Sequence, residues 1–232
     1  MASEGPAVAR ATALVALGLR PDADPLAVDT AALDAVADPD SRVRAAAVGA
    51  LTRAGTPAAA HTAWATALTD EAASVRRRAA ELTPMLATKV ASKVEAPDLI
   101  APLLATLEDD DATVVEAAAW ALGEMAEPAI EAGATSVLAT TATTNDDPIA
   151  REAAVAALGA LGALGDEAGL EAILQACRDT PAVRRRAVLA LAPFEGPEVE
   201  AAIEQALNDR DWQVRQAAED LSDAPTEPDT TP

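Results

Sequence analysis

Apolar positions recur along this chain at helical spacing, in a phrase that repeats. From Asp38 to Leu51 it reads DPDSRVRAAAVGAL: an acid, an Arg six positions later, then an Ala-rich run. Aligned on the Arg, seven copies fall at Arg10, Arg44, Arg76, Val115, Arg151, Arg184 and Arg215, with Val115 standing where the Arg is lost. The spacings are 34, 32, 39, 36, 33 and 31, the range of helical-repeat arrays. Three positions after the anchor every copy carries Ala: Ala13, Ala47, Ala79, Ala118, Ala154, Ala187 and Ala218. One before it Val dominates (Val43, Val75, Val114, Val183, Val214), and seven after it Leu (Leu17, Leu51, Leu122, Leu158, Leu191). Offsets of −1, +3 and +7 share one helical face, and a position that admits only Ala predicts a neighbouring helix pressed close.

Second apolar stripes lie between these anchor helices and predict helices over Leu26–Ala37, Ala58–Leu68, Asp98–Leu107, Pro128–Ala142, Glu167–Ala176 and Pro197–Leu207. Pro57, Pro97, Pro128 and Pro197 suit first turns, and Gly18, Gly55, Gly123 and Gly162 or Gly165 mark exits from the anchor helices. The unit is helix, short acidic turn, helix. The first copy lacks its leading helix, and Glu219, Asp220 and Asp223 give the last one a polar cap. The longest interval, Arg76 to Val115, holds Pro84 and both lysines, Lys89 and Lys93, and predicts an extended, kinked or broken helix. One repeat array over 1–222 is expected, followed by a disordered acidic tail over 223–232.

Composition narrows the class. Half of the 232 residues are hydrophobic but aromatics are 2% and Tyr is absent, so strand-type runs are missing and the chain is all-α. The net charge of −21 repels nucleic acid and anionic lipid. Excess acid with almost no Lys resembles the cytosolic proteins of haloarchaea, which implies a cytoplasmic protein of a halophilic archaeon. Cys177, the one cysteine, has no internal partner and fits a reducing compartment. The apolar run Ala11 to Leu19 is bracketed by Arg10 and Arg20 and does not read as a signal peptide; no stretch reaches membrane-spanning length.

The registered acidic turns and V-R-x-x-A-A-x-A-L phrases resemble HEAT repeats of the short type named after phycobilisome lyases, over residues 4 to 222. The resemblance implies a right-handed α-α superhelix of about seven helical repeats whose second helices line a concave face. Departures are Val115 for Arg, and Arg178 where most copies carry an acid.

Residues of the types that carry chemistry have scaffolding roles here. The acid six before the anchor is Glu4, Asp38, Asp70, Asp109 or Asp209, with Asn145 and Arg178 in the other two copies. Such an Asp caps a helix and accepts hydrogen bonds from Arg of its own or an adjacent repeat. That predicts a structural ladder of Asp38, Arg44, Asp70, Arg76, Asp109, Arg151, Arg184, Asp209 and Arg215 rather than a catalytic series. His61 is the sole histidine, too few for an imidazole metal site, and the His-Glu pairs of the HEAT-type hydroxylase are absent. Cys177 reads as a small core residue. Asp109–Asp111 and Asp146–Asp147 lack calcium-loop spacing and read as capping turns. No nucleophile-elbow, zinc or phosphate-loop pattern occurs, so no catalytic residue, metal or cofactor is assigned.

Recognition is expected where the copies disagree. Trp120 lies five after its anchor, where the others carry Val15, Gly49, Glu81, Ala156, Leu189 and Asp220; a position that tolerates such variety is not core. Either it anchors an interface or it lies flat over Ala156 and Gly159. Trp64 reads as core and Trp212 as turn packing. In the triplets Arg76–Arg78 and Arg184–Arg186, Arg77 and Arg185 project outward, balancing nearby acids or docking an acidic partner segment. The leading reading is a monomeric, non-enzymatic scaffold that binds a protein partner, not nucleic acid or membrane, through Trp120, Arg77, Glu81, Glu116, Glu152 and Arg185. A phycobilin-lyase-like enzyme or lyase chaperone is the alternative, disfavoured by the lack of Tyr and the scarcity of His and Cys. Nucleic-acid processing of the HEAT-glycosylase kind is disfavoured by charge.

Overall fold

In a computed structural model, residues 6–91 and 98–222 are described, and among them every regular element is helical. The chain divides into two compact units, one ending at Ala132 and the other beginning at Gly133. Glu4, Lys93, Pro97 and the tail lie outside the described residues.

In the first unit the anchor phrases form α1 (Ala7–Gly18), α3 (Ser41–Ala54), α5 (Ala73–Val90) and α7 (Ala112–Glu124), which pack in succession. A second layer holds α2 (Pro25–Ala32), α4 (Pro57–Ala67) and α6 (Ile100–Thr106), each against the anchor helix of its own repeat, with α8 (Ala126–Glu131) after α7. The second unit opens with α9 (Ala134–Thr144) against α10 (Pro148–Gly162), followed by α11 (Leu170–Ala176) and α12 (Pro181–Ala190), then α13 (Pro197–Leu207) and α14 (Trp212–Ser222). Here α10, α12 and α14 stack as the anchor layer.

Burial follows the repeat register. Ala47, Ala79, Ala118, Ala154, Ala187 and Ala218 are each 0% exposed, and the Val and Leu positions at −1 and +7 surround them. The small side chains let backbones approach: a β-carbon at Gly18 would sit 2.7 Å from Cα of Ala50 on α3. Gly18 therefore serves close packing at the end of α1 as well as its exit. The first copy departs from the rule, since Ala9 and Ala13 are exposed and Leu17 half-buried. In later copies this stripe meets the leading helix, and among the described residues no helix precedes α1.

Several boundaries moved. Residues 128–142, expected as one helix, are two, because Gly133 takes a left-handed conformation (φ 76°) between α8 and α9. Gly123 does not end α7, which continues to Glu124. The expected helices over Leu26–Ala37 and Glu167–Ala176 each include a 3₁₀ turn, at Asp34–Ala37 and Glu167–Gly169. Helix α5 runs through Pro84 to Val90, so of the extended, kinked or broken helix expected for the longest interval its first part is an extended one. The acids six before the anchors are not the N-caps. The caps lie two residues later: Asp40, Asp111 and Asp147 accept from the backbone N–H of Arg42, Thr113 and Ile149. That distance is the reach of a short side chain to the second helical amide.

Candidate protein-binding face

A ladder of ion pairs holds the acidic turns side by side. Arg44 donates through Nε and Nη2 to both carboxylate oxygens of Asp70, each at 2.7 Å. Its Nη1 donates to the carbonyls of Asp38 and Pro39 in its own turn at 3.0 and 3.3 Å. Each Arg thus ties its own turn to the next one along. The same two-pronged arrangement joins Arg10 to Asp38 and Arg76 to Asp109 in the first unit, and Arg151 to Asp179 and Arg184 to Asp209 in the second. Planar guanidinium against planar carboxylate is the strongest form of such a pair. The Arg44 guanidinium, and less the turn amide of Ala72, hold the Asp70 carboxyl below the usual range despite burial. Arg76 acts likewise on Asp109, Arg151 on Asp179 and Arg184 on Asp209.

Two expected rungs differ. Asp179, five before its anchor, supplies the carboxylate for Arg151, because the turn before α12 is one residue shorter and Arg178 falls outside the register. An acid adjacent to the expected position was the available sequence signal. Arg215 donates to the Asp209 carbonyl at 2.7 Å and meets no carboxylate among the described residues, since no later turn follows it there. Val115 and Asn145 are both neutral. The Asn145 side chain still accepts from the Asp147 N–H at 2.9 Å, as Asp38 does from Asp40, so the turn persists without the charge.

The ladder leaves the opposite flank of the anchor helices open. Trp120 on α7 is 48% exposed, and Glu116, one turn earlier, is exposed too. On neighbouring α5, Arg77 and Arg78 both donate to Glu81, at 2.8 and 2.9 Å, so the single carboxylate is shared. In the second unit Glu152 on α10 faces Arg186 on α12 at 3.6 Å, while Arg185 is exposed and has no ion pair among the described residues. Trp120, Arg77, Glu81, Glu116, Glu152 and Arg185 all stand one or five positions after their anchors. Those offsets also line grooves: about 560 Å³ across α1, α3 and α5, and about 470 Å³ between α10 and α12. Arg42, Arg53, Gly49 and Arg78 line the larger groove, although none of them is among the residues expected to bind. A Gly in mid-helix costs about 1 kcal/mol against Ala, and that was the signal at Gly49.

The remaining singled-out residues are structural. Trp64 is 1% exposed and donates its indole N–H to Thr83 at 2.9 Å, as expected for core; His61 is half-buried against its ring. Trp212 does not pack into its turn but begins α14 at 64% exposure. Burial pushes the Cys177 thiol up to about 11, against the weaker opposing pull of Arg178. Among the described residues no group of three or more His, Cys, Asp or Glu is placed to hold a metal ion, and no helix is long and apolar enough to cross a membrane.

A family model described as HEAT repeats matches residues 83–159 and 156–222. No curated protein sequence matches the chain. Among solved structures, the YibA protein of E. coli aligns with a TM-score of 0.70 at 18% identity, over 95% of this chain and 78% of its own. Kap95p, solved in a complex with RanGDP, aligns at 0.65 and 18% identity over 94% of this chain, which spans 33% of Kap95p. A designed armadillo repeat protein in complex with the peptide (KR)4 aligns at 0.58 and 20% identity, over 90% of this chain and 97% of its own. At these identities the likeness is one of fold.

Proposed function

The chain belongs to the family of HEAT repeats, and from that premise we propose that it is a non-enzymatic scaffold or adaptor that engages a partner protein on the exposed face of its anchor helices. The observation that carries the reading is Trp120, a large apolar ring 48% exposed on the face where the repeats diverge. A ring in that position contributes binding energy once a partner excludes water from it. Arg77, Glu81 and Glu116 in the first unit, and Glu152 and Arg185 in the second, set charges of both signs at these offsets, which select a partner by complementarity rather than by bulk attraction. Support also comes from the neighbours of like fold, one solved with RanGDP and one with a peptide. In this reading residues 1–222 act as one monomeric array in the cytoplasm of a halophilic archaeon, with no cofactor.

Affinity capture from a high-salt lysate, repeated with Trp120→Ala, tests it. At least one partner is expected to be lost by the variant. Equal recovery of every partner removes Trp120 from the interface, and capture of none by the parent protein removes the reading.

A further inference from the structure

In a chain of net charge −21, one stretch of surface carries the opposite sign. Arg53, near the end of α3, donates Nη1 to the Gly49 carbonyl at 3.2 Å and has no carboxylate partner among the described residues. Arg78 reaches the same spot from α5. A β-carbon at Gly49 would lie 2.9 Å from Nη1 of Arg53 and 3.6 Å from Nη2 of Arg78, so the two guanidinium groups converge over a residue with no side chain. Burial first, and then the Arg78 charge, lowers Arg53 from its ordinary value, the mark of a cation short of counter-charge. Arg77 and Arg78 share the one carboxylate of Glu81, which leaves none for Arg53.

Two grooves meet at Arg53. The larger exposes Val8 (59%) and Val15 (43%) beside Ala45 and Ala46, and its third cation, Arg42, is satisfied by Asp40. The other, about 470 Å³, is lined by Thr52, Arg53, Pro84, Met85, Thr88 and Lys89. Lys89 donates to the Thr52 carbonyl at 2.9 Å and has no ion pair among the described residues; Asp29 acts on it only at longer range. Thr52 is 1% exposed, and its Oγ1 has no hydrogen-bond partner among the described residues. Two incompletely paired cations, a buried hydroxyl without a partner and exposed aliphatic side chains thus lie along one track.

We propose that this track on α1, α3 and α5 binds an acidic peptide segment of a partner protein, an Asp or Glu carboxylate seated between Arg53 and Arg78 and flanking aliphatic side chains on Val8, Val15 and Met85. The proposal deepens the protein-binding reading and rests on it. Charge complementarity selects the occupant: the acidic remainder of the surface disfavours a polyanion such as nucleic acid, while one or two carboxylates between apolar residues match both the cations and the Val and Ala walls. Three helices spaced about 9 Å apart give a track of about 20 Å, the reach of about six extended residues.

The test is selection of a random peptide display library on the immobilised full-length protein in about 0.5 M KCl, where only short-range pairing survives screening. Enrichment of peptides with Asp or Glu between aliphatic residues is expected. Their binding should fall at least tenfold in Arg53→Gln and in Gly49→Leu, which fills the convergence point while keeping both charges. Arg178→Gln, at an exposed position of the other unit, should bind as the parent does, and Arg53→Glu should shift selection toward basic peptides. Unchanged melting of the variants controls for folding. Enrichment of neutral or basic peptides, acidic peptides indifferent to Arg53→Gln, or full displacement by inorganic phosphate overturns the proposal. Peptides that bind through Trp120 and not Arg53 leave the protein-binding reading standing and remove this one. Retention of neither peptides nor any protein removes both.

Discussion

Replacing Asp70 by Asn separates the charge of a ladder rung from its turn. The Asp70 Oδ1 accepts the Ala72 N–H at 2.8 Å, and an amide oxygen does the same at Asn145, so the turn survives the change. What is lost is the carboxylate against which Arg44 places two bonds of 2.7 Å. A hydrogen bond to a charged group contributes about 1.5–3 kcal/mol, and stripping one partner from a fully buried pair costs about 3–5 kcal/mol. Side chains here keep 9% and 10% exposure, and Glu71 stands 3.3 Å from Arg44 as a solvated substitute, so the discounted loss is about 2 kcal/mol. With a urea dependence of about 2 kcal/mol per M, the unfolding midpoint in molar KCl drops by about 1 M. Arg44→Val alone leaves Asp70 without its counter-charge and costs about 3 kcal/mol. The double variant Arg44→Val with Asp70→Asn installs the neutral residue types that the sequence itself carries at the equivalent repeat positions, Val115 and Asn145, and it should cost less than the sum by about 1–2 kcal/mol. Additivity within about 0.5 kcal/mol, or a neutral Asp70→Asn, would refute the assignment of the rungs as paired charges.

Acid should release the same rungs. Asp70, Asp109, Asp179 and Asp209 are all held below the ordinary aspartate value, so their contribution is complete above about pH 4 and disappears as pH falls through their folded values. In molar KCl, which screens the general repulsion, melting temperature should be flat from pH 7 to about 5 and fall steeply below about 4; a rise on acidification would contradict this. The Cys177 thiol, pushed up to about 11, should react far more slowly with a disulfide reagent at neutral pH in the native protein than in urea, and equal rates would show it accessible. Self-repulsion at −21 predicts a melting temperature that climbs from dilute buffer to molar KCl, and a salt-insensitive one would end the halophilic reading.

Burial at −1, +3 and +7 was legible in the sequence because it depends on a local period, each anchor helix turning the same stripe toward its neighbours. The all-α class, the repeat register, the long α5 and the exposure of Trp120 follow from that period and from where it breaks. Pairings across space depend instead on turn lengths and on which helices stack, quantities that no single copy contains. Tertiary structure therefore decided that Asp179 and not residue 178 faces Arg151, that Arg215 meets a carbonyl, and that the face of α1 bearing Ala9 and Ala13 stays open. It also decided that Arg53 and Arg78, 25 residues apart in the chain, converge over Gly49, where the missing side chain leaves room for both guanidinium groups.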